Sequence, residues 1–241
     1  MNKIRLGIFS LSSCEGCLVQ ILNLEDYLVE LFNMVDLVSF KLIGVDKEFD
    51  TLDVAVIEGA VMNDEEEKEL KDLRERSKII VALGDCACYG GKFIIKDFHV
   101  NGIKMNLPRK TTAFKADPLD KYVKVDYYVY GCPIVKYGFL QLMKDLLMDK
   151  PYRPKTYNVC AECILKENNC LIEAGLPCLG PITRAGCNAL CPSVGRECIG
   201  CRGLSDDANI ESLIQIFRER NIEVPSYLPK LLKGEEKWRR K

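Results

Sequence analysis

The 241-residue sequence contains a single histidine and a single tryptophan. With His99 alone, a Ser-His-Asp triad would rest on a histidine remote from any nucleophile motif, and a histidine-rich zinc or iron site is excluded. Long apolar runs are also missing, since no stretch approaches the roughly eighteen residues that cross a bilayer. Neither charge dominates, because 34 Lys and Arg nearly balance 35 Asp and Glu. A nucleic-acid-binding face is therefore not expected.

Cysteine is abundant instead, at thirteen residues. A chain of this length can bury a core and does not need disulfide staples. The N-terminus enters a strand-like apolar run at residues 4–11, with no charged-then-apolar leader before it. We therefore expect a cytoplasmic protein whose cysteines bind metal.

Residues 1–154 alternate apolar runs with helical patterns, which predicts a domain of the α/β class with a parallel sheet. Helices are predicted at 18–32, 63–77 and 134–148. The predicted strands lie at 4–9, 36–43, 54–57, 79–83 and 127–130. The middle strands are apolar throughout, as strands covered on both faces are.

Residues 155–241 differ in composition and form a second predicted domain. Eight of the thirteen cysteines lie between Cys160 and Cys201, among glycine, proline and few large apolar residues. We expect this irregular segment to lack a hydrocarbon core and to be held by bound metal. A closing helix is predicted at 207–220, with a tail from residue 225.

Four cysteines of the first domain follow predicted strands: Cys14, Cys17, Cys86 and Cys132. The carboxyl ends of parallel strands gather at one edge, where ligands bind, so these thiols could surround one object. Four thiolates suit either a zinc ion or a 4Fe-4S cluster. Cys88 is interpreted as a spare buried thiol.

The remaining eight cysteines divide in chain order into two further sets of four. The first of these contains Cys160, Cys163, Cys170 and Cys178, and the second contains Cys187, Cys191, Cys198 and Cys201. Zinc ribbons also use paired CxxC spacings, so spacing alone leaves the metal open. The irregular gaps favour iron-sulfur clusters over zinc fingers.

The order of motifs resembles the small subunit of nickel-iron hydrogenases, most of all the cytosolic sulfhydrogenase type that exchanges electrons with nicotinamide. The motifs are SSCEGC, VIEGA, GDCACYGG, YGCP, NCLIEAGLPCLGP, RAGCNALCP and ECIGCRG. The resemblance implies a flavodoxin-like domain with a proximal cluster on the first set, a distal cluster on the second and a medial cluster on the third. It also implies a nickel-iron centre in a partner large subunit and flavin or iron-sulfur partners that react with NAD(P). The chain would then carry electrons without cleaving hydrogen itself.

Two positions depart from the periplasmic members that this family includes. The periplasmic members have a histidine where this sequence has Cys160. They also have a proline near the position of Cys191, and this proline leaves their medial cluster with three irons. Both positions offer a thiolate here. The resemblance therefore implies three complete 4Fe-4S clusters.

Three acidic residues lie close to the first set. Glu15 is either a solvated loop acid or part of a proton relay, and Glu58 ends an apolar strand at the same edge. Asp85 could form a turn with its own side chain or replace a cysteine ligand.

Other functions stay open at this point. Within electron transfer, the chain could serve a deazaflavin or heterodisulfide partner or be a relative from the complex I lineage. A structural zinc protein and an FMN-binding enzyme with a flavodoxin-like fold are the alternatives from other classes.

Overall fold

The computed structural model describes residues 3–91, 99–100, 103–104, 116–225 and 228. The chain divides into two compact units, Met1–Arg153 and Pro154–Lys241. In the part of the chain that is described, no helix is both long enough and apolar enough to cross a membrane.

The first unit is built on a six-stranded sheet. Its strands are β1 (Ile4–Ser10), β2 (Val35–Phe40), β3 (Val45–Asp46), β4 (Leu52–Glu58), β5 (Ser77–Leu83) and β8 (Tyr127–Val129); β6 (His99–Val100) and β7 (Ile103–Lys104) form a separate hairpin. The spatial order is β3-β2-β1-β4-β5-β8, and every pair is parallel except β2 with β3. The five parallel strands follow the flavodoxin-like order. The predicted α/β fold class is therefore confirmed, with the short antiparallel strand β3 as an addition.

Five α-helices accompany the sheet in the described residues of this unit. They are α1 (Gly16–Leu22), α2 (Asp26–Met34), α3 (Asp64–Arg76), α4 (Gly84–Tyr89) and α5 (Lys136–Leu147). The single helix predicted at 18–32 is wrong, because the backbone turns at Glu25, whose φ is +55°, and separates α1 from α2. The predicted cap of α3 is confirmed, since the Asn63 side chain accepts a hydrogen bond from the Glu66 N–H at 2.9 Å.

Apolar residues cover both faces of the sheet. Side chains of β1 and β4 that point to one face pack with α1, α2 and α5, as Leu6, Val54 and Phe139 do. Alternate residues of β4 and β5 pack on the other face with α3 and α4, as Ile57 and Leu70 do. Each such side chain contributes roughly 1.5–3 kcal/mol when fully buried. The two apolar layers leave the carboxyl ends of the strands as the place for polar chemistry.

The second unit contains α6 (Val159–Leu165), α7 (Leu190–Ser193) and α8 (Ile210–Glu219). The expectation that it lacks a hydrocarbon core is wrong. Leu213 and Phe217 of α8 are almost fully buried and pack with Val159, Leu179 and Ile182 from the cysteine-rich segment. The closing helix, which follows the cysteine-rich segment in the sequence, supplies the apolar surface that the segment itself has in short supply.

Candidate functional site

The first set of cysteines lies at the carboxyl edge of the sheet. Cys14 and Cys17 follow β1, with Cys17 in α1, while Cys86 lies in α4 directly after β5. Cys132 lies just beyond β8. After β1, the next strand in the chain, β2, is added on one side of it, whereas β4, β5 and β8 are added on the other side. The start of α1 therefore lies beside the topological switch point between β1 and β4, where α/β sheets bind ligands.

Cys86 is a neighbour of each of the other three thiols of this set. Burial and then the Asp85 carboxylate raise the pKa of the Cys86 thiol to about 12, and Cys132 and Cys14 lie near enough to act in the same direction. Burial raises the pKa of Cys17 far above its usual range, with a smaller effect of the same sign from Cys86. The structure therefore brings together cysteines that the sequence separates by more than a hundred positions.

Glycines leave the space that surrounds these thiols. A Cβ added at Gly84 would clash with Cys17 Sγ, and one added at Gly91 would lie 2.7 Å from Cys86 Sγ. Gly16 is also close, since its added Cβ would lie 3.3 Å from Cys14 Sγ. Gly84 and Gly91 have φ values of +82° and +69°, which glycine adopts without steric cost. Four thiols with backbone packed against sulfur are a donor set and a cradle that fit a 4Fe-4S cluster.

Glu58 is the acidic residue most closely tied to this edge. Its side chain is 1% exposed and accepts hydrogen bonds from the backbone N–H groups of Cys17 and Leu18, both at 3.1 Å. Burial raises the pKa of Glu58, although these two hydrogen bonds oppose the shift. The carboxylate therefore fixes the first turn of α1, and with it the backbone of Cys17.

Cys88, Glu15 and Asp85 have different surroundings. The Cys88 thiol is 2% exposed in the core formed with α3 and donates to the carbonyl of Ala82 at 3.6 Å. Glu15 is exposed and has a left-handed backbone with φ of +56°. Asp85 lies in the first turn of α4, and its N–H donates to the Gly131 carbonyl at 2.9 Å.

The second set gathers around α6. Burial raises the pKa of the Cys160 thiol to about 12, and Cys178, Cys163 and Cys170 add to the shift in that order. A Cβ added at Gly180 would lie 3.3 Å from Cys160 Sγ and 3.5 Å from Cys178 Sγ, so backbone again packs against sulfur. The four sulfurs of this predicted set are therefore close neighbours.

The third set is joined by contacts among its flanking residues. Burial is the main reason that the pKa of Cys198 is raised to about 12, and Cys178 of the second set and then Cys201 act in the same direction. The Arg202 guanidinium donates from Nε to the Ala185 carbonyl at 2.9 Å, which ties the Cys201 segment to the loop of Cys187. The Arg196 N–H donates to the Cys191 carbonyl at 2.9 Å. The first bond joins the segments of Cys201 and Cys187, and the second closes the turn between Cys191 and Cys198.

The second and third sets also contact each other. The Cys198 N–H donates to Cys178 Sγ at 3.4 Å. Asn168 Nδ2 donates to Cys163 Sγ at 3.5 Å and to Ser193 Oγ of α7 at 3.1 Å. Two predicted sets therefore share hydrogen bonds within one unit.

Glu162, which sequence reasoning missed, is buried between these sets. Burial acts to raise the pKa of Glu162, but hydrogen bonds from Lys155 and the Gly186 N–H outweigh it and hold the pKa below its usual range. The sequence does not show that Glu162 is buried, because a glutamate between the two cysteines of a CxxC motif can be either exposed or buried.

Among the described residues, no three side chains of Cys, His, Asp or Glu converge closely enough to hold one metal ion.

The chain is also similar to known proteins. A family model described as NADH ubiquinone oxidoreductase, 20 Kd subunit matches residues 14–146. The delta subunit of sulfhydrogenase 2 from Pyrococcus furiosus is 35% identical over 228 residues, which cover 90% of this chain and 93% of that protein. A subunit of the F420-non-reducing hydrogenase vhu from Methanocaldococcus jannaschii is 32% identical over 262 residues, which cover 92% of this chain and 91% of that protein.

A solved structure extends the comparison. The structure of an NAD+-reducing NiFe hydrogenase in the H2-reduced state contains a chain that is 27% identical, with a TM-score of 0.53 over 64% of this chain and 96% of that chain. The shared sheet and the matched family model define an oxidoreductase subunit that works within a complex. More narrowly, the chain belongs to the family of nickel-iron hydrogenase small subunits. Subunits of this family carry iron-sulfur clusters and pair with a large subunit.

Proposed function

We propose that this chain relays electrons through three 4Fe-4S clusters, between a nickel-iron centre in a partner large subunit and an NAD(P)-linked flavin or iron-sulfur partner in the cytoplasm. The observation that carries the proposal is the convergence of Cys14, Cys17, Cys86 and Cys132 in a glycine cradle at the sheet edge. Four thiolates with room for sulfide and backbone N–H donors are what a 4Fe-4S cluster requires.

Each set of four cysteines would hold one cluster, and a bound cluster supplies one-electron transfer. The first set would hold the proximal cluster, the set beginning at Cys160 the distal cluster, and the set beginning at Cys187 the medial cluster. The chain's own residues hold the thiols in place. Glu58 fixes the backbone of Cys17, and the amide of Asn168 donates to Cys163 Sγ, a contact of the kind that makes a cluster easier to reduce.

The relatives support the proposed identity of the electron acceptor. A chain of an NAD+-reducing NiFe hydrogenase is 27% identical to this one, which favours the NAD(P)-linked partner. The relative from Methanocaldococcus jannaschii is named as part of an F420-non-reducing hydrogenase and is 32% identical. That relative favours an acceptor other than F420, so the second candidate is a hydrogenase linked to a heterodisulfide-type partner instead of nicotinamide.

Metal content and partner dependence test the proposal. Purified anaerobically from its native host, the chain should contain about twelve irons and little zinc, because three clusters need four irons each. It should co-purify with a hydrogenase large subunit, and the other chains present distinguish an NAD(P)-reactive partner from a heterodisulfide-type one. Alone, the chain should reduce no dye with hydrogen. A zinc-dominated preparation, or hydrogen-dependent activity without a large subunit, would contradict the proposal.

Cys191→Pro tests the third set. Cys191 lies in the first turn of α7, where proline is tolerated, and the change removes one thiolate while keeping Cys187, Cys198 and Cys201. The cluster should lose one iron and become a three-iron cluster with a higher potential. Hydrogen uptake into a high-potential dye should persist, while hydrogen evolution from a nicotinamide donor should slow.

Electron paramagnetic resonance reads out this variant directly. The oxidised Cys191→Pro protein should show a three-iron signal that the parent lacks. Cys191→Ala serves as the matched control, because it removes the same thiolate without constraining the backbone. If both variants keep full iron and the parent's spectrum, Cys191 is not a ligand and the division of the C-terminal cysteines is wrong.

A further inference from the structure

One buried carboxylate joins α6 to the loop that carries Cys187. Glu162 lies between Cys160 and Cys163 and is 3% exposed. Its Oε1 accepts hydrogen bonds from the Gly186 N–H at 2.9 Å and from Lys155 Nζ at 2.7 Å, and its Oε2 accepts one from the Ala189 N–H at 3.2 Å. The two backbone donors flank Cys187 on either side. A residue between two cysteines of the second set therefore holds the backbone on both sides of Cys187, which belongs to the third set.

The loop that Glu162 holds has an unfavourable backbone conformation. Asn188 and Ala189 are consecutive residues with φ of +56° and +47°, and Gly186 has φ of +116°. Asparagine tolerates the left-handed region, whereas alanine adopts it at a steric cost. Such a conformation persists only when surrounding contacts enforce it. The hydrogen bonds from Gly186 and Ala189 to a charged acceptor are contacts of that kind.

We propose that Glu162 is a positioning residue, which fixes the Cys187 loop to α6 and thereby sets the separation of the second and third clusters. This inference rests on the proposed relay function for its consequence in electron transfer. The contact itself is independent of bound metal, since every donor and acceptor belongs to the protein. Electron transfer between clusters falls steeply with distance, so a loop that moved away from α6 would slow the relay without removing a ligand.

Glu162→Gln is the informative substitution. It preserves the shape of the side chain, but its amide group replaces one acceptor oxygen with a donor, so at least one backbone N–H loses its partner. Lys155→Met removes the ion pair and leaves both backbone hydrogen bonds. Glu173→Gln is the matched control, because it removes the same charge from an exposed side chain beside the second set. All three variants are prepared in the complete complex with its native partners.

Three measurements distinguish the variants. In Glu162→Gln, amide hydrogen exchange in residues 185–190 should quicken by about tenfold or more, since a hydrogen bond to a charged acceptor is lost. The magnetic interaction between the two reduced C-terminal clusters should change in the electron paramagnetic resonance spectrum. Hydrogen-driven reduction of the acceptor should slow by about ten- to a hundredfold, as when a residue supporting metal ligands is replaced. Glu173→Gln should match the parent in all three.

The outcomes separate this inference from the relay proposal. Loss of about four irons together with faster exchange confined to residues 185–190 would also support it, because the third site would then depend on the contact. Unchanged exchange and coupling in Glu162→Gln would overturn it, and so would an equal effect from Lys155→Met, which would assign the role to the ion pair. Faster exchange throughout the unit would overturn it as well. A parent complex without iron would refute the relay, while the exchange comparison would still decide whether Glu162 holds the loop.

Discussion

Gly84→Ala should remove the iron of the first cluster and leave that of the other two. The added methyl group would clash with Cys17 Sγ and would lie 3.5 Å from the Gly131 carbonyl, so thiol and methyl compete for one space. We expect about four of about twelve irons to be lost and hydrogen-dependent activity of the complex to fall by about ten- to a hundredfold. Anaerobic iron analysis and activity with a dye acceptor measure both effects.

Gly44→Ala is the matched control for this substitution. Gly44 has φ of +77°, close to the +82° of Gly84, but its added methyl group would meet no heavy atom of the described residues within 4 Å. It should cost about 1 kcal/mol of stability through backbone strain and leave the iron content unchanged. The cradle around Cys17 would be refuted if Gly84→Ala kept its full iron, or if Gly44→Ala lost as much.

Cys86→Ala and Cys88→Ala should differ sharply although the residues are two positions apart. Cys86 faces the other thiols of the first set, so its removal should strip or convert the proximal cluster. Cys88 is buried in the core and donates to the Ala82 carbonyl, so its loss should cost packing of about 1 kcal/mol and no iron. Iron content and the spectrum of the reduced protein measure the difference.

The opposite result would show that the assignment of Cys86 as the ligand is wrong. If Cys88→Ala lost the cluster while Cys86→Ala kept it, the ligand in the CAC sequence would be Cys88. Thermal unfolding of both variants separates the two effects, since a packing loss lowers stability without altering the spectrum.

The parallel sheet was predictable because its signal is local. Strands such as β4 and β5 are apolar on both faces and stand out as continuous runs, whereas β3 pairs through two residues and has no pattern of its own. The break between α1 and α2 was not predictable. Apolar spacing continues across it, and the residue that turns the chain is Glu25, neither glycine nor proline.

The candidate site also has features that the sequence predicts and features that it does not. Cysteines could be assigned to an edge because each follows a strand, and parallel strands share their carboxyl end. The partners of Glu58 and Glu162 could not be assigned, since both carboxylates accept from backbone N–H groups, which every residue offers alike. The apolar core of the second unit was missed because α8 lies outside the cysteine-rich segment that it covers.

The sequence span of the first cysteine set has a consequence for how the protein matures. Its thiols come from residues 14–132 and meet only at the edge of the assembled sheet, after β1, β5 and β8 have found their places. Before that, closing so long a loop costs conformational entropy that no local contact repays. The thiols of the other two sets lie within residues 160–201. If the three sets hold clusters as proposed, metal reaches the first set on a folded chain, whereas the thiols of the other two sets come from one short segment.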